Sequence, residues 1–339
     1  MIRLRQLVAA SSKDLQILLA VVAILALVPL GVSRFTLSVA TAALIFALAG
    51  IGWNVLSGFA GQFSFGHAAY FGLGAYTVAV TFTRYSISPW VGLVLGGLVA
   101  AIFGLLAGWI SFRFGLKGAY FALATFAFAE LLRLTFNNFD YVGASIGITI
   151  PLAGGDSWSS LQFEDTPEIR YFVALALVAL GILAVIAVKR SRIGSRMLAV
   201  REDEEAAASL GINPLRAKLF AISISGFITA VAGGYYAMFL MFVDSDLVFG
   251  PFISVAILLR PIVGGVGTIW GPVVGAAVLS ILGEVTRSLV RDPPSILQAI
   301  EGVNGLDQVI FGVILVVVII RAPDGVLGWF RRFRKRDGV

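Results

Sequence analysis

Residues 171–188 read Tyr-Phe-Val-Ala-Leu-Ala-Leu-Val-Ala-Leu-Gly-Ile-Leu-Ala-Val-Ile-Ala-Val, with no charge, between Arg170 and the pair Lys189-Arg190. As a helix this run rises about 27 Å, close to the thickness of a bilayer's hydrocarbon core. The rest of the chain belongs to the same solvent. Of its 339 residues 59% are hydrophobic and 13% charged, about half the charged share of a soluble domain, and the mean hydropathy is +0.96. Having no cysteine and one histidine, the chain can form neither disulfides nor thiolate or multi-histidine metal centres.

The same criterion places ten candidate spans at about 15–32, 36–57, 66–83, 90–112, 118–135, 171–188, 219–243, 250–264, 268–290 and 305–321. The third is weakened by glycines and His67. The eighth is short and carries Arg260 and Pro261, so a re-entrant segment and a total of eight or nine spans fit as well. The expected architecture is all-α, a polytopic transmembrane helix bundle forming a single transmembrane domain over 1–339. With both termini cytoplasmic, 19 of the 25 basic residues fall inside, Arg260 and the tail Arg331–Arg336 among them, as the positive-inside rule requires. The tail reads as an anchor on anionic lipid headgroups and not as a nucleic-acid patch. Residues 15–32 read as a retained first helix, since no small-x-small cleavage site precedes Arg34. Two polar loops interrupt the pattern, 136–170 outside and 189–218 inside.

Small residues recur every fourth position at Gly92, Gly96, Ala100, Gly104 and Gly108, at Gly226, Ala230 and Gly234, and at Gly267, Gly271 and Gly275. Such rows let helix backbones approach closely. The stretch 57–77 is different: Ser57, Gln62, Ser64 and His67 stand among five glycines between two apolar spans, and Asn54 extends the polar face by one turn. An interrupted, polar stretch at membrane depth has to be buried in protein or line a wet cavity, and it points to a permeation site. His67 alone reads first as a hydrogen-bonded structural residue. Glu130 with Arg133, and Glu284 with Arg287, are spaced to pair on one helix face; Glu130, an intramembrane carboxylate, is a candidate for lining the pathway.

Residues 201–214 follow Arg201 with four acids, continue through alanines and end at Gly211 and Pro214, the pattern of a short capped helix suited to docking on a cytoplasmic protein. The segment Leu56-Ser57-Gly58-Phe59-Ala60-Gly61-Gln62 has the look of the signature sequence of ATP-binding-cassette ATPases. The chain has no Gly-Lys dipeptide and so no phosphate-holding loop of its own.

Glu205-Ala206-Ala207 followed by Gly211 resembles the coupling loop through which ABC importer permeases engage their ATPases. Taken with Asn54–Thr77, Lys117–Thr125 and the glycine-rich segment Gly264–Pro272, it makes residues 36–328 similar to the permease subunits of branched-chain amino-acid ABC importers, the LivM type. The early Asn213-Pro214 departs from the Leu-Pro of many other importers. The resemblance implies coupling through Glu204, Glu205, Ala206, Ala207 and Gly211; the pathway expected from the residues themselves is shaped by Asn54, Ser57, Gln62, Ser64, His67 and Glu130. The resemblance further implies a second homologous permease, two cytoplasmic ATPases that bind the ATP, an extracytoplasmic solute-binding protein, no cofactor on this chain, and a bacterial-type inner membrane. The solute would be Leu, Ile or Val, with urea, amides or other small amino acids as the alternative. An ion-driven secondary transporter would need several intramembrane carboxylates, and an intramembrane enzyme would need catalytic residues that this chain lacks.

Overall fold

A computed structural model describes residues 15–291, 305–322 and 324–329. The basic residues Arg3, Arg5 and Lys13 and the tail Arg331–Arg336 lie outside the described residues. In chain order the helices are α1 (Leu15–Leu30), α2 (Arg34–Trp53), α3 (His67–Tyr85), α4 (Pro89–Arg113), α5 (Gly118–Asn137), α6 (Pro167–Arg190), α7 (Arg192–Glu202), α8 (Glu204–Ser209), α9 (Pro214–Leu240), α10 (Ser245–Phe249), α11 (Pro251–Gly264), α12 (Gly271–Arg291) and α13 (Leu306–Arg321). The only paired strands among the described residues are β1 (Ile148–Thr149) and β2 (Phe242–Val243), antiparallel with Ile148 opposite Val243. The protein is therefore an all-α polytopic bundle.

Among the described residues eight helical segments are long and apolar enough to cross a membrane. Helix α1 is shorter, and α3 has its apolar content diluted by glycines and His67. Together these ten match the ten expected spans, with two differences of extent. Helix α9 starts at Pro214 and not near 219, because Asn213 caps it by accepting from the Arg216 N–H at 3.0 Å and Pro214 presets its first turn. The eighth span is longer than 250–264. Short α10, capped by Asp244, precedes α11 and is separated from it by extended Gly250, so the two together run 20 residues.

Helix α9 is the hub, packed by α2, α3 and α4. The small-residue rows expected on α4 and α9 explain how. A Cβ on Gly96 would meet Gly74 Cα at 3.1 Å, one on Gly226 the Ala100 carbonyl at 3.1 Å, and one on Gly74 itself the Ala230 carbonyl at 1.9 Å. Backbones this close exclude lipid and maximise dispersion contacts, the term that drives association where lipid is as apolar as leucine. The third row, 267–275, does not form on one helix. Gly267 stands in a loop at φ +74, and Thr268 caps α12 by accepting from the Gly271 N–H at 2.9 Å. Gly271 and Gly275 instead press α12 onto the carbonyls of Gly265 and Arg260.

Polar connections gather in two groups. In one, Lys117, α7, α8 and the start of α9 meet. In the other, residues 138–166 form an ordered cap: Ser88 Oγ and Trp90 Nε1 donate to the carbonyls of Ser159 and Trp158 at 2.6 and 2.7 Å, and buried Gln162 bridges Ala153 N–H and Pro151 C=O.

Candidate functional site

Helix α2 does not end at Trp53 but widens into one π-helical turn over Asn54–Phe59, after which the chain runs irregularly through 60–66 to α3. A π turn leaves carbonyls and side chains out of α-helical register, and such turns are frequent at functional sites. This is the interrupted stretch that the sequence singled out. Asn54 is buried, and its side chain reaches a second helix break between α11 and α12. Its Oδ1 accepts from Gly267 N–H at 2.8 Å, and its Nδ2 donates to Thr268 C=O at 2.7 Å. One amide thus satisfies a donor and an acceptor that would otherwise be orphaned, and ties the two breaks together.

The rest of the break is similarly self-satisfied. Ser57 Oγ donates to Gln62 C=O at 3.0 Å and accepts from Ser64 N–H at 3.3 Å. Trp53 Nε1 donates to Ser64 C=O at 2.8 Å. The fully buried His67 ring lies between Ser64 Oγ on Nδ1 at 3.0 Å and Ser225 Oγ on Nε2 at 2.8 Å, which joins the break to α9 and agrees with its reading as a structural residue. Phe65 N–H donates to Thr125 Oγ1 of α5 at 3.1 Å, and Ala68 N–H to Ser254 Oγ of α11 at 3.0 Å. Gly66 is required because a Cβ there would lie 1.9 Å from Thr125 C=O. Of the expected pathway residues on this segment, Asn54, Ser57, Ser64 and His67 are buried, their polar side-chain atoms bonded within the chain. Gln62 stays partly exposed, its Nε2 on Ala60 C=O at 3.3 Å. Glu130 is remote from the break. It pairs with Arg133 through two contacts of 2.9 and 2.6 Å, and Arg133 also pairs with Asp246 of α10.

The loop 189–218 forms two helices in place of the one expected. Asp203 ends α7 and N-caps α8, its Oδ1 accepting from the Glu205 and Ala206 N–H groups at 2.9 Å each. Gly211, at φ +81, closes α8: its N–H donates to Ala208 C=O at 2.9 Å and the Ile212 N–H to Ala207 C=O at 3.0 Å, the paired bonds of a glycine-terminated helix. Glu205, Ala206 and Gly211 are exposed, as is Leu210, at 83%, whereas Ala207 packs under α8. Glu204 turns inward. It meets Lys218 of α9, itself 4% exposed, at 2.8 Å and Lys117 at 3.2 Å. Burial raises the Glu204 carboxyl, but the hydrogen bonds and charges of Lys218 and Lys117 outweigh it and hold the group below the ordinary glutamate range.

Four residues that the sequence reading missed connect these parts. Lys117 and Lys218 fasten α8, and Asp203 separates it from α7. Arg201 of α7 donates through Nη1 to the Gly58 carbonyl, on the π turn, at 2.6 Å. Two glycines make room for this side chain: a Cβ on Gly61 would meet Arg201 Cγ at 3.0 Å and one on Gly267 would meet Nη1 at 2.8 Å; a Cβ on Gly58 would instead collide with Asn54 Oδ1. The glycine spacing around 58–61 and 264–271 was the available signal; it did not name the partner. A continuous chain of bonded groups thus leads from exposed α8 through Arg201 and Gly58 to Asn54 and the α11–α12 break.

Residues 35–319 match the family described as the permease component of the branched-chain amino acid transport system. The chain is 32% identical to the high-affinity branched-chain amino acid transport system permease protein LivM of Escherichia coli (strain K12), over 88% of this chain and 71% of that protein. It is 23% identical to the corresponding LivH protein of Salmonella typhimurium, over 84% of this chain and 91% of that one. It is also 23% identical to a probable LivM of Methanocaldococcus jannaschii, over 76% and 77%. No solved structure matches. A bundle of this helical pattern, matched to that family over most of its length, belongs to the branched-chain amino-acid transport permeases and is of the LivM type.

Proposed function

We propose that this chain is the non-catalytic membrane subunit of an ATP-driven importer of branched-chain amino acids. It pairs with a second permease of similar fold and receives the solute from a binding protein at the end capped by residues 138–166. Two cytoplasmic ATPases dock at the α8 end, and both termini lie on the same cytoplasmic side; ATP is bound and hydrolysed on those subunits, and this chain needs no cofactor. The observation that carries the reading is the bonded route from α8 to the two helix breaks.

In this reading Glu205, Ala206, Leu210 and the Gly211 turn form the docking surface, and Glu204 and Ala207 hold α8 to the bundle so that a push is transmitted and not absorbed. Asn54, Ser57, Ser64 and His67 keep the break in shape, Gln62 faces the pathway, and Glu130 with Arg133 and Asp246 forms a clamp between α5 and α10 at its opposite end. Glu205→Ala or Gly211→Val in the assembled importer should leave this chain in the membrane while lowering leucine uptake per ATP hydrolysed by tenfold or more. Uptake and ATPase activity measured together in reconstituted vesicles test this, and an unchanged ratio would remove α8 from the coupling role. Competition by isoleucine, valine, urea and small amides in the same vesicles fixes the solute class.

A further inference from the structure

A cavity of about 410 Å³ opens between α2, α11, α12 and α13, and its lining is unusual for a surface facing lipid. Its walls are apolar at Val255, Leu259, Leu279 and Phe311, but Glu284, Arg287, Asp307 and Gln308 stand towards one end and Arg260 at the other. The polar group at the mouth belongs to the end of α12 and the beginning of α13, which is the end opposite α8. Arg260 lies deeper. Its guanidinium sits 4.5 Å from the Phe46 ring, near the middle of the span formed by α2 and its π turn, and its backbone is fixed between Gly50 of α2 and Gly275 of α12. The sequence reading grouped Arg260 with the cytoplasmic charges; it is instead a cation within the bundle.

Arg260 Nη1 donates to Ala256 C=O, and its Nε is buried with no hydrogen-bond partner. A buried, unpartnered donor of a charged group is costly, and an intramembrane cation is retained where it meets a ligand or a charge. The nearby carboxylates do not fill that role: Glu284 pairs with Arg287 at 3.2 Å.

We propose that this cavity is a solute subsite for a zwitterionic α-amino acid with an aliphatic side chain. The solute carboxylate sits on Arg260, the ammonium group faces the Glu284 and Asp307 carboxylates, and the side chain packs on Val255, Leu259, Leu279 and Phe311. The lining charges, Arg260 and Arg287 against Glu284 and Asp307, sum to zero and suit a zwitterion better than an ion. The depth of Arg260 favours a small solute over a lipid headgroup tethered at the interface. Five residues beyond Arg260 the chain enters the Gly265–Thr268 break held by Asn54, so the subsite lies directly above the coupled element. The inference rests on the importer reading for its solute but has its own readout.

Because the chain has no cysteine, Ser280→Cys introduces a unique thiol in the cavity wall. In the assembled importer in nanodiscs, the rate at which a neutral, membrane-impermeant maleimide labels this chain should fall about fivefold with L-leucine. It should stay unchanged with L-leucinamide, which lacks the carboxylate. Adding Arg260→Gln should abolish protection, measured against that variant's own rate in the absence of leucine, and Arg260→Lys should restore part of it. Equal protection by the amide, protection that survives Arg260→Gln, or a thiol labelled only after lipid is stripped would each overturn the subsite. Leucine uptake by the unmodified importer, measured alongside, separates failure of the importer reading from failure of this site.

Discussion

The coupling helix and the helix breaks are both polar interruptions of an apolar chain, yet they are built in opposite ways. Helix α8 closes on itself. Asp203 caps its start, Gly211 closes its end, and all these partners lie within five residues. The break at 54–66 is closed from afar: Asn54 bonds residues 213 and 214 positions away, His67 one 158 away, and Arg201 reaches back 143 to Gly58. An exposed element satisfies spare donors with water and needs only local caps, whereas a buried one must find every partner in the protein. A segment of the first kind can be altered without unfolding the bundle, and one of the second kind cannot.

The sharpest way to break this contrast is Asn54→Ala. It removes the shared partner of Gly267 N–H and Thr268 C=O, both in a partly buried loop, at up to roughly 1–3 kcal/mol each. Thermal unfolding of the detergent-solubilised protein, followed by size-exclusion fluorescence, should shift down by well over 5 °C, and uptake should be lost. Asn54→Asp, which keeps only the acceptor, should fall in between. A variant as stable as the parent would show that the two breaks are not held by this residue.

Arg201→Ala should have a smaller effect on stability, because it removes a single bond to the Gly58 carbonyl from a side chain that is itself 38% exposed, and a larger one on coupling. Uptake per ATP should drop several-fold while assembly with the ATPases persists, and Arg201→Lys should recover part of it. Loss of assembly instead would place Arg201 in docking and not in transmission.

The smallest effect concerns Glu204. Its carboxyl is held below the ordinary glutamate range, so its pairs stabilise α8 fully above about pH 4.5, and that contribution is lost as pH falls through the lowered value. Coupling measured from pH 7 down to 4 should weaken only at the acid end. Lys218→Met, by removing the shorter of the two contacts, should bring that weakening to a higher pH. A profile that Lys218→Met leaves unmoved would assign the anchoring of α8 to packing of Ala207 alone.

Much of the fold was legible in the sequence. Runs such as Tyr171–Val188 have one physical solution in lipid, and the rows on α4 and α9 announced close packing. The end of α8 at Gly211 was legible because caps are local chemistry, but its start was not, since Asp203 divides α7 from α8 within the run of four acids. Nor was its inward anchoring, since nothing adjacent to Glu204 distinguishes it from Glu205. The row at 267–275 misled for the same reason: its spacing is helical, but Thr268 caps a helix that begins three residues later.

What the amino-acid order determined by itself is the solvent, the ten helices, the position of the polar break and the short helix that interrupts the α6–α9 connection. These follow from hydropathy, period and capping, which act over a few residues. Tertiary structure alone decided which polar groups meet. Asn54 faces the second break, Arg201 enters a pocket of glycines and Arg260 lies inside the bundle because helix packing brings those backbones together, and a buried donor takes whatever acceptor packing presents.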